Sequence, residues 1–311
     1  MPYEIGLDEA GYGPNLGPFV MTMVMFETKD APLLYDGWRK LAPIVRRQQD
    51  PKDHRLVVDD SKQVYSRRQG LLDLEKNLWP FLYTLDQPAT FSDLWIDRVL
   101  HEPLQDQDAP WLQLQQPWIL NPECINPRVV QQLATCTHQA GYRFIAWHSI
   151  ILFPRHCNAL IHKWNSKASL PLHSIEQLYK ASPWPEKAAV TIDRLGGRQH
   201  YHAFLQQLCP DRFVTLLQES PQLSRYRLGQ DTTIQFVVHA EQQSLPVALA
   251  SMLSKYLRER LMQQFNAYWC GLMPELAPTA GYPVDAQRWW QATVALRAQL
   301  QVDDHYLWRM R

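Results

Sequence analysis

Apolar and polar positions change their period several times along the chain. A short run over Glu4–Asp8 predicts a strand, and Phe19–Glu27, rich in Met and Val, predicts a second one paired with it as a hairpin. Between them Gly11, Gly13, Pro14, Gly17 and Pro18 crowd one turn, although the whole chain has only 12 glycines. That concentration predicts unusual backbone dihedrals or a close approach. Helical spacing is expected near Pro32–Arg46 and over Gln69–Trp79, with a polar loop Arg47–Lys62 between them. After residue 127 the pattern predicts a helix at Arg128–Gln139, a strong strand at Tyr142–Leu152, and helices at Arg155–Trp164 and Leu172–Ala181. Further on come a short buried strand Ala188–Asp193, a helix His200–Leu208, strands Phe213–Gln218 and Thr233–His239, and a long helix Pro246–Phe265. Strands mixed with helices and opening on a hairpin predict an α/β fold, a mixed sheet covered by helices on both faces.

Residues 87–127 interrupt this rhythm. They carry Trp95, Trp111 and Trp118 among prolines and glutamines, with one helical piece expected at Ser92–His101. The stretch reads as an insertion packed by aromatics. The organisation expected is a core formed by 1–86 and 128–270, the insertion, and a C-terminal segment 271–311.

Composition narrows the function classes. Hydrophobic residues make up 46% of the 311 and charged residues 20%, a globular balance. Lys+Arg 31 against Asp+Glu 31 leaves no net charge, so a polyanion must be met by a local basic patch. The longest apolar stretches, Pro18–Phe26 and Phe144–Pro154, are too short to span a bilayer, and the N-terminus shows no secretory pattern. Five scattered cysteines without a CxxC imply reduced thiols and a cytoplasmic location.

Three apolar strands run into acidic residues: Asp8–Glu9 after EIGL, Asp193 after AVTI, and Glu241 after FVVHA. Carboxylates at strand ends sit on the rim of a sheet, where open α/β folds place their sites. Four converging there would repel one another without cations. Their oxygens suit Mg²⁺ or Mn²⁺, and two such ions can clamp an in-line displacement at phosphorus. Alternation would send Asp8 and Glu9 to opposite faces, so a shared site needs the glycine-rich turn to distort the strand end.

The blocks GLDEAGYGPNLGPFV, VDDSKQVYS, TIDRLGG and HAEQQSLPVALASMLSKYLRER resemble, in order and approximate spacing, the type 2 ribonuclease H family, ribonucleases HII and HIII. The Glu at the fourth acidic place and the segment CNALIHKWNSKASLPLHSIEQL, with Asn158, Asn165 and His173, are closer to ribonuclease HIII. The segment TAGYPVDAQRW is similar to the family's GY segment. This resemblance implies a ribonuclease H-like mixed sheet and a metal-dependent endonuclease. Its substrate would be the RNA strand of RNA/DNA hybrids or ribonucleotides embedded in DNA. It maps catalysis and two Mg²⁺ or Mn²⁺ ions onto Asp8, Glu9, Asp193 and Glu241, and substrate contacts onto Gly11, Tyr12, Gly13, Ser61, Lys62 and Tyr282. Several basic residues of the family are replaced: Tyr12 stands between the two glycines, His239 precedes the fourth carboxylate, and Thr279-Ala280 precedes GY. Two alternatives stay open: a nuclease of the same fold with another nucleic-acid substrate, and a catalytically weak nucleic-acid or protein-binding module.

Other residues have plainer readings. Glu259 lies about five turns beyond Glu241 and is expected to be a helix-surface charge. Arg194 and Arg198 could hold phosphate or be solvated or carboxylate-paired. His148, His156, His162 and His173 lack zinc-site spacing. Trp289 or Trp290 could stack on a base or sugar.

Overall fold

The computed structural model describes residues 1–29, 36–48, 50, 52–66, 70–85, 98–101, 109–112 and 124–310. Its strands are β1 (Tyr3–Ala10), β2 (Phe19–Thr28), β3 (Val45–Arg46), β4 (Leu56–Val57), β5 (Val99–His101), β6 (Tyr142–Leu152), β7 (Ala188–Asp193), β8 (Val214–Glu219), β9 (Leu223–Leu228) and β10 (Thr232–Val237). Its helices, in chain order, are α1 (Gly37–Lys40), α2 (Ser61–Val64), α3 (Leu72–Leu85), α4 (Pro127–Ala140), α5 (Pro154–Trp164), α6 (Ser169–Ala181), α7 (His202–Leu208), α8 (Leu245–Leu272), α9 (Pro283–Ala292) and α10 (Val294–Gln299).

Among the described residues eight strands form one mixed sheet in the order β5-β6-β2-β1-β7-β10-β9-β8. The expected hairpin is present: β1 runs antiparallel to β2. At the centre β1, β7 and β10 are parallel neighbours, so their C-terminal ends share one edge. Apolar side chains on the two faces feed two separate cores. One joins Val20, Val24 and Phe26 to α3, α4 and α8. The other joins Ile5, Leu7, Val190 and Ile192 to α5, α6 and α7. Helices therefore cover both faces, as the pattern predicts.

The axis of the fold is α8. Nearly all of its first half is buried, which fits a sequence apolar on most sides. It crosses β1 at Gly6, where an added Cβ would stand 2.2 Å from the Val247 nitrogen. Only glycine permits that approach. A third cluster packs Trp269 and Phe265 of α8 against Trp289, Leu307 and Leu16, fastening the segment after residue 271 onto the hairpin turn.

The structure corrects several expectations. The helix expected near Pro32–Arg46 is helical only over Gly37–Lys40 among the described residues, and Val45–Arg46 instead pairs with Leu56–Val57. The loop Arg47–Lys62 thus contains β4 and the start of α2. Most of the 87–127 stretch, including residues 92–97 of its expected helix, lies outside the described residues. Its Val99–His101 is a strand parallel to β6, because pairing at a free sheet edge outweighs local propensity. Strand β9, unpredicted, joins β8 to β10. Among the described residues no helix is long and apolar enough to cross a membrane, and all five cysteines are free thiols.

Candidate active site

The acidic residues expected to act together lie along the shared C-terminal edge of β1, β7 and β10. Leu7 pairs with Ile192, which sets Asp8 abreast of Asp193. Val237 pairs with Asp193 on its other side. The strand predicted to run to His239 ends at Val237. His239 takes a left-handed conformation, φ 56°, and a single 3-10 turn, Ala240–Gln242, brings Glu241 back toward the edge. The Ala240 amide donates to Asp193 Oδ1 at 3.0 Å, tying this return to β7.

Electrostatics shows how closely the four are associated. Burial raises the Asp8 carboxyl well above its ordinary range, and the charges of Glu9 and Asp193 raise it further. Burial, then Asp193, pushes Glu9 up to about 7. Asp193 is raised chiefly by burial, against the backbone donors of Ala240 and Arg194. Glu241 is raised by burial and by the charges of Asp193 and Asp60. Both members of the dyad thus feel Asp193, despite the alternation that separates their faces. The expected distortion of the strand end is absent, since β1 stays in register with β2 through Ala10; the dyad feels Asp193 because Asp193 stands beside the last residues of β1. The chain leaves β1 through Gly11 at φ 89°, two residues beyond Glu9. Among the described residues, however, no three His, Cys, Asp or Glu side chains are gathered tightly enough to hold a metal ion. The carboxylates share an edge without forming a ready ligand set.

Hydroxyls of α8 support the dyad from below. Ser254 Oγ donates to the Asp8 carbonyl at 2.9 Å and bonds Thr22 Oγ1 at 2.8 Å. Thr22 in turn meets Ser149 Oγ at 2.7 Å. Ser251 hydrogen-bonds the Asp8 side chain and reaches Ser61 Oγ at 3.1 Å. Ser61 is thereby joined to Asp8 through one residue. Lys62, exposed beside it, draws the Glu9 and Asp193 carboxyls toward their ionised forms. The hydroxyls of Ser251, Ser254 and Thr22 are members of the site that the residue patterns did not single out. The small polar residues three apart in ALASMLSK were the available signal.

The turn residues also assemble. A Cβ on Gly11 would lie 2.7 Å from Arg258 Nε, and one on Gly13 would lie 3.9 Å from Tyr282 Cε1. Tyr282, 49% exposed, therefore stands beside the turn. Tyr12 packs edge-on against Phe19, with Lys167 Nζ 5.2 Å from its ring centroid.

Several other residues lie elsewhere or are otherwise occupied. The Arg194 guanidinium donates to the carbonyls of Ser220 and Pro221 and to Ser224 Oγ, so it braces the β8–β9 turn. Trp289 is fully buried, which removes it as a stacking surface. The Arg297 guanidinium covers Trp290, 3.5 Å from the ring centroid. Glu259 is held by Lys255, Arg258 and Tyr65. It is a partly exposed carboxylate on the helix, paired i,i+4 with Lys255 and held further by Arg258 and Tyr65.

No protein-family model matches the chain, and no curated protein sequence matches it. Solved structures similar to it include the ribonuclease H2 from Pyrococcus horikoshii OT3, at TM-score 0.46 and 12% identity, covering 98% of this chain and 92% of that one. RNase HII from Archaeoglobus fulgidus, in complex with PCNA, is similar at TM-score 0.44 and 12% identity over 99% and 94% of the two chains. Bst-RNase HIII in complex with Mn²⁺ is similar at TM-score 0.41 and 14% identity, over 99% of this chain and 66% of that one.

Proposed function

We propose that this protein is a metal-dependent endonuclease that hydrolyses the RNA strand of RNA/DNA hybrids, or the bond at a ribonucleotide embedded in DNA. The observation that carries this reading is the meeting of sequence blocks far apart in the chain. The DE dyad, the DSK segment, the Asp193 strand and the Glu241 turn bear on one another electrostatically at one sheet edge.

By donor type Asp8, Glu9, Asp193 and Glu241, all hard oxygen donors whose mutual repulsion a divalent cation would offset, suit Mg²⁺ or Mn²⁺, while as arranged no three described side chains are gathered tightly enough to hold one ion. A pair of such ions, when bound, supplies an activated water and charge stabilisation for the departing 3′ oxygen. The chain's own groups then divide the substrate. Lys62 and Ser61 meet the phosphate next to the carboxylates. Gly11 and Gly13, on either side of Tyr12, bring backbone close to the ribose, and Tyr282 lies against the neighbouring sugar. In this reading 1–86 and 128–270 form the catalytic core, and 271–311 a segment that shapes its substrate side. Clustered negative charge argues against a pure binder of polyanions, which would gain nothing from it.

The test is purified protein with Mg²⁺ or Mn²⁺ against four labelled duplexes: DNA, RNA, full hybrid, and DNA with one ribonucleotide. Metal-dependent cleavage confined to the last two is expected. Cleavage of DNA or RNA alone would point to the same chemistry on another substrate, and no cleavage of any duplex would sink the enzymatic reading.

A further inference from the structure

Beneath the glycine-rich turn lies a charged group that the carboxylate site does not use. Arg309 is fully buried. Its Nη2 donates to the carbonyls of Gly11, at 2.6 Å, and Pro14. Among the described residues its Nε and Nη1 have no oxygen or nitrogen partner, and the titratable groups it meets are the buried thiol of Cys157, which it hydrogen-bonds, and the guanidinium of Arg258. Burying a cation with no carboxylate beside it is costly, and two carbonyl contacts and a thiol return only part of that cost.

The backbone around Arg309 is stitched on both sides. Its amide donates to the Asn15 carbonyl at 2.7 Å, and Asn15 Nδ2 returns a bond to the Arg309 carbonyl at 3.1 Å. Asn158 of α5 donates to the Trp308 carbonyl at 2.8 Å and accepts from the Met310 amide at 2.8 Å. Residues 308–310 are thus a strap between α5 and the turn, almost three hundred residues away in sequence. From the other side Arg258, also buried, underlies Gly11 and donates to the Ala280 carbonyl at 2.9 Å. Arg258 is balanced by Glu259 at 3.2 Å, whereas the two guanidiniums repel one another, so Arg309 is the cation of the pair that no carboxylate offsets among the described residues. Arg309 thus holds the carbonyls of Gly11 and Pro14 and Arg258 reaches that of Leu16 at 3.5 Å, with Gly13 exposed between them.

We propose that Arg309 is a positioning residue, holding the glycine-rich turn so that residues 11–13 present a fixed backbone to the substrate ribose. The proposal rests on the nuclease reading above. Its structural half can be tested without any activity.

The experiment compares wild type with Arg309→Met, Arg309→Lys and Asn158→Ala, the last of which unties the strap from α5 without touching the turn. In Arg309→Met, amide exchange at Asn15 and Leu16, the turn residues whose N–H groups donate to the Gly281 carbonyl, should quicken at least about tenfold while β7 and α8 keep wild-type rates. Turnover of a labelled hybrid in Mg²⁺ should fall about a hundredfold, with KM changed much less, because misplacement affects the reacting geometry more than binding. Arg309→Lys should recover part of both effects, and Asn158→Ala should show both at smaller amplitude. If Arg309→Met does not fold, the other two variants decide. Wild-type exchange at the turn overturns the proposal, as does acceleration spread through β7 and α8 or local loosening with undiminished turnover. If wild type cleaves no duplex, the nuclease reading fails, and the exchange pattern alone decides whether Arg309 holds the turn.

Discussion

Strand β1 carries two buried carboxylates on the same face, Glu4 and Asp8, four residues apart on either side of the Gly6 crossing. Both are raised by burial, Glu4 to about 7. Their surroundings differ. Glu4 accepts from the Tyr142 hydroxyl at 2.7 Å and lies 3.4 Å from Ser244 Oγ, just before α8 begins. Its acidic neighbour, Asp36, acts only weakly on it. Asp8 receives Ser251 but is crowded by Glu9 and Asp193. Burial alone therefore does not mark a working carboxylate, since it perturbs both to the same sense. Convergence with other charges separates them: Glu4 is a satisfied polar group inside the fold, whereas Asp8 belongs to a set of carboxylates that raise one another's affinity for protons.

Substitution of the two should separate the consequences. Asp8→Asn removes one charge from the cluster and one oxygen donor of the proposed metal site. Metal-dependent hybrid cleavage should fall on the order of a thousandfold, equivalent to losing several kcal/mol of transition-state stabilisation. The melting temperature near neutral pH should hold or rise, because a repulsive buried charge has gone. Wild-type turnover in Mg²⁺ would place catalysis elsewhere. Parallel loss of stability and activity would make Asp8 a structural residue like Glu4.

The counterpart, Glu4→Gln, should leave turnover unchanged and alter only stability. A carboxyl whose folded pKa is about 7 against an ordinary 4.5 binds its proton more tightly in the folded chain. Wild-type stability contributed by this group is full below about pH 4.5 and is lost as pH rises through 7. The glutamine keeps an acceptor for Tyr142 and never ionises. Its advantage should be nil near pH 4 and grow to at most ~3 kcal/mol at pH 8. Melting curves at the two pH values check this, and an equal shift at both would refute the assignment of the rise to Glu4.

The same contrast explains what the amino-acid pattern could disclose. Strands β6 and β7 match their expected limits residue for residue, because continuous apolar runs of that length suit buried strands. The carboxylate that ends β7, Asp193, is legible for the same reason, whereas Glu241 lies beyond the end of β10 on its own 3-10 turn. Strand β9, LSRYRL, also alternates, but Arg225 and Arg227 on its outward face dilute the apolar signal. Helix α3 runs on through Pro80 to Leu85, whereas the spacing suggested an end at Trp79. Surrounding core contacts of Trp79, Phe81 and Leu82 stabilise the helix past a residue that removes one of its hydrogen bonds. Arg309 left no local trace at all. Its partners, Gly11 and Pro14, lie at the far end of the chain, and a lone arginine has no period. Glu4 shows the converse limit, since its sequence context, YEIG, is as strand-like as that of Asp8 and its separate role appears only with Tyr142 and Ser244 in place.

Cations sharpen the distinction further, since Lys62 acts on Glu9 and Asp193 and is not among the groups that act on Glu4. With no net charge on the chain, few phosphates should be neutralised, so hybrid binding should be weak and show a shallow dependence on salt. Lys62→Gln should weaken binding about tenfold without regard to sequence and reduce the salt slope by roughly one phosphate. Fluorescence titration at several salt concentrations measures both. An unchanged slope would remove Lys62 from the phosphate path.

The smallest effect is expected at Tyr12, where the resemblance to type 2 ribonucleases H would place Arg or Lys. The structure sets Lys167 over the Tyr12 ring, 5.2 Å from its centroid, so a cation already stands near this part of the turn. An arginine at position 12 would add a donor for phosphate, worth roughly 1–3 kcal/mol as a charge-assisted bond. It would also lose the ring contact with Lys167 and set two like charges side by side, offsetting much of that gain. Tyr12→Arg should therefore raise hybrid cleavage only about fivefold, or ~1 kcal/mol, and Tyr12→Arg combined with Lys167→Gln should raise it further by removing the repulsion. Both are compared with wild type on the full hybrid and on the single-ribonucleotide duplex. A gain in the double variant larger than in the single one would identify the turn as a phosphate contact that Tyr12 has weakened. No gain in either variant, with melting temperatures unchanged, would mean that the turn around Tyr12 is built for a different nucleic acid, although the carboxylates beside it keep the same chemistry.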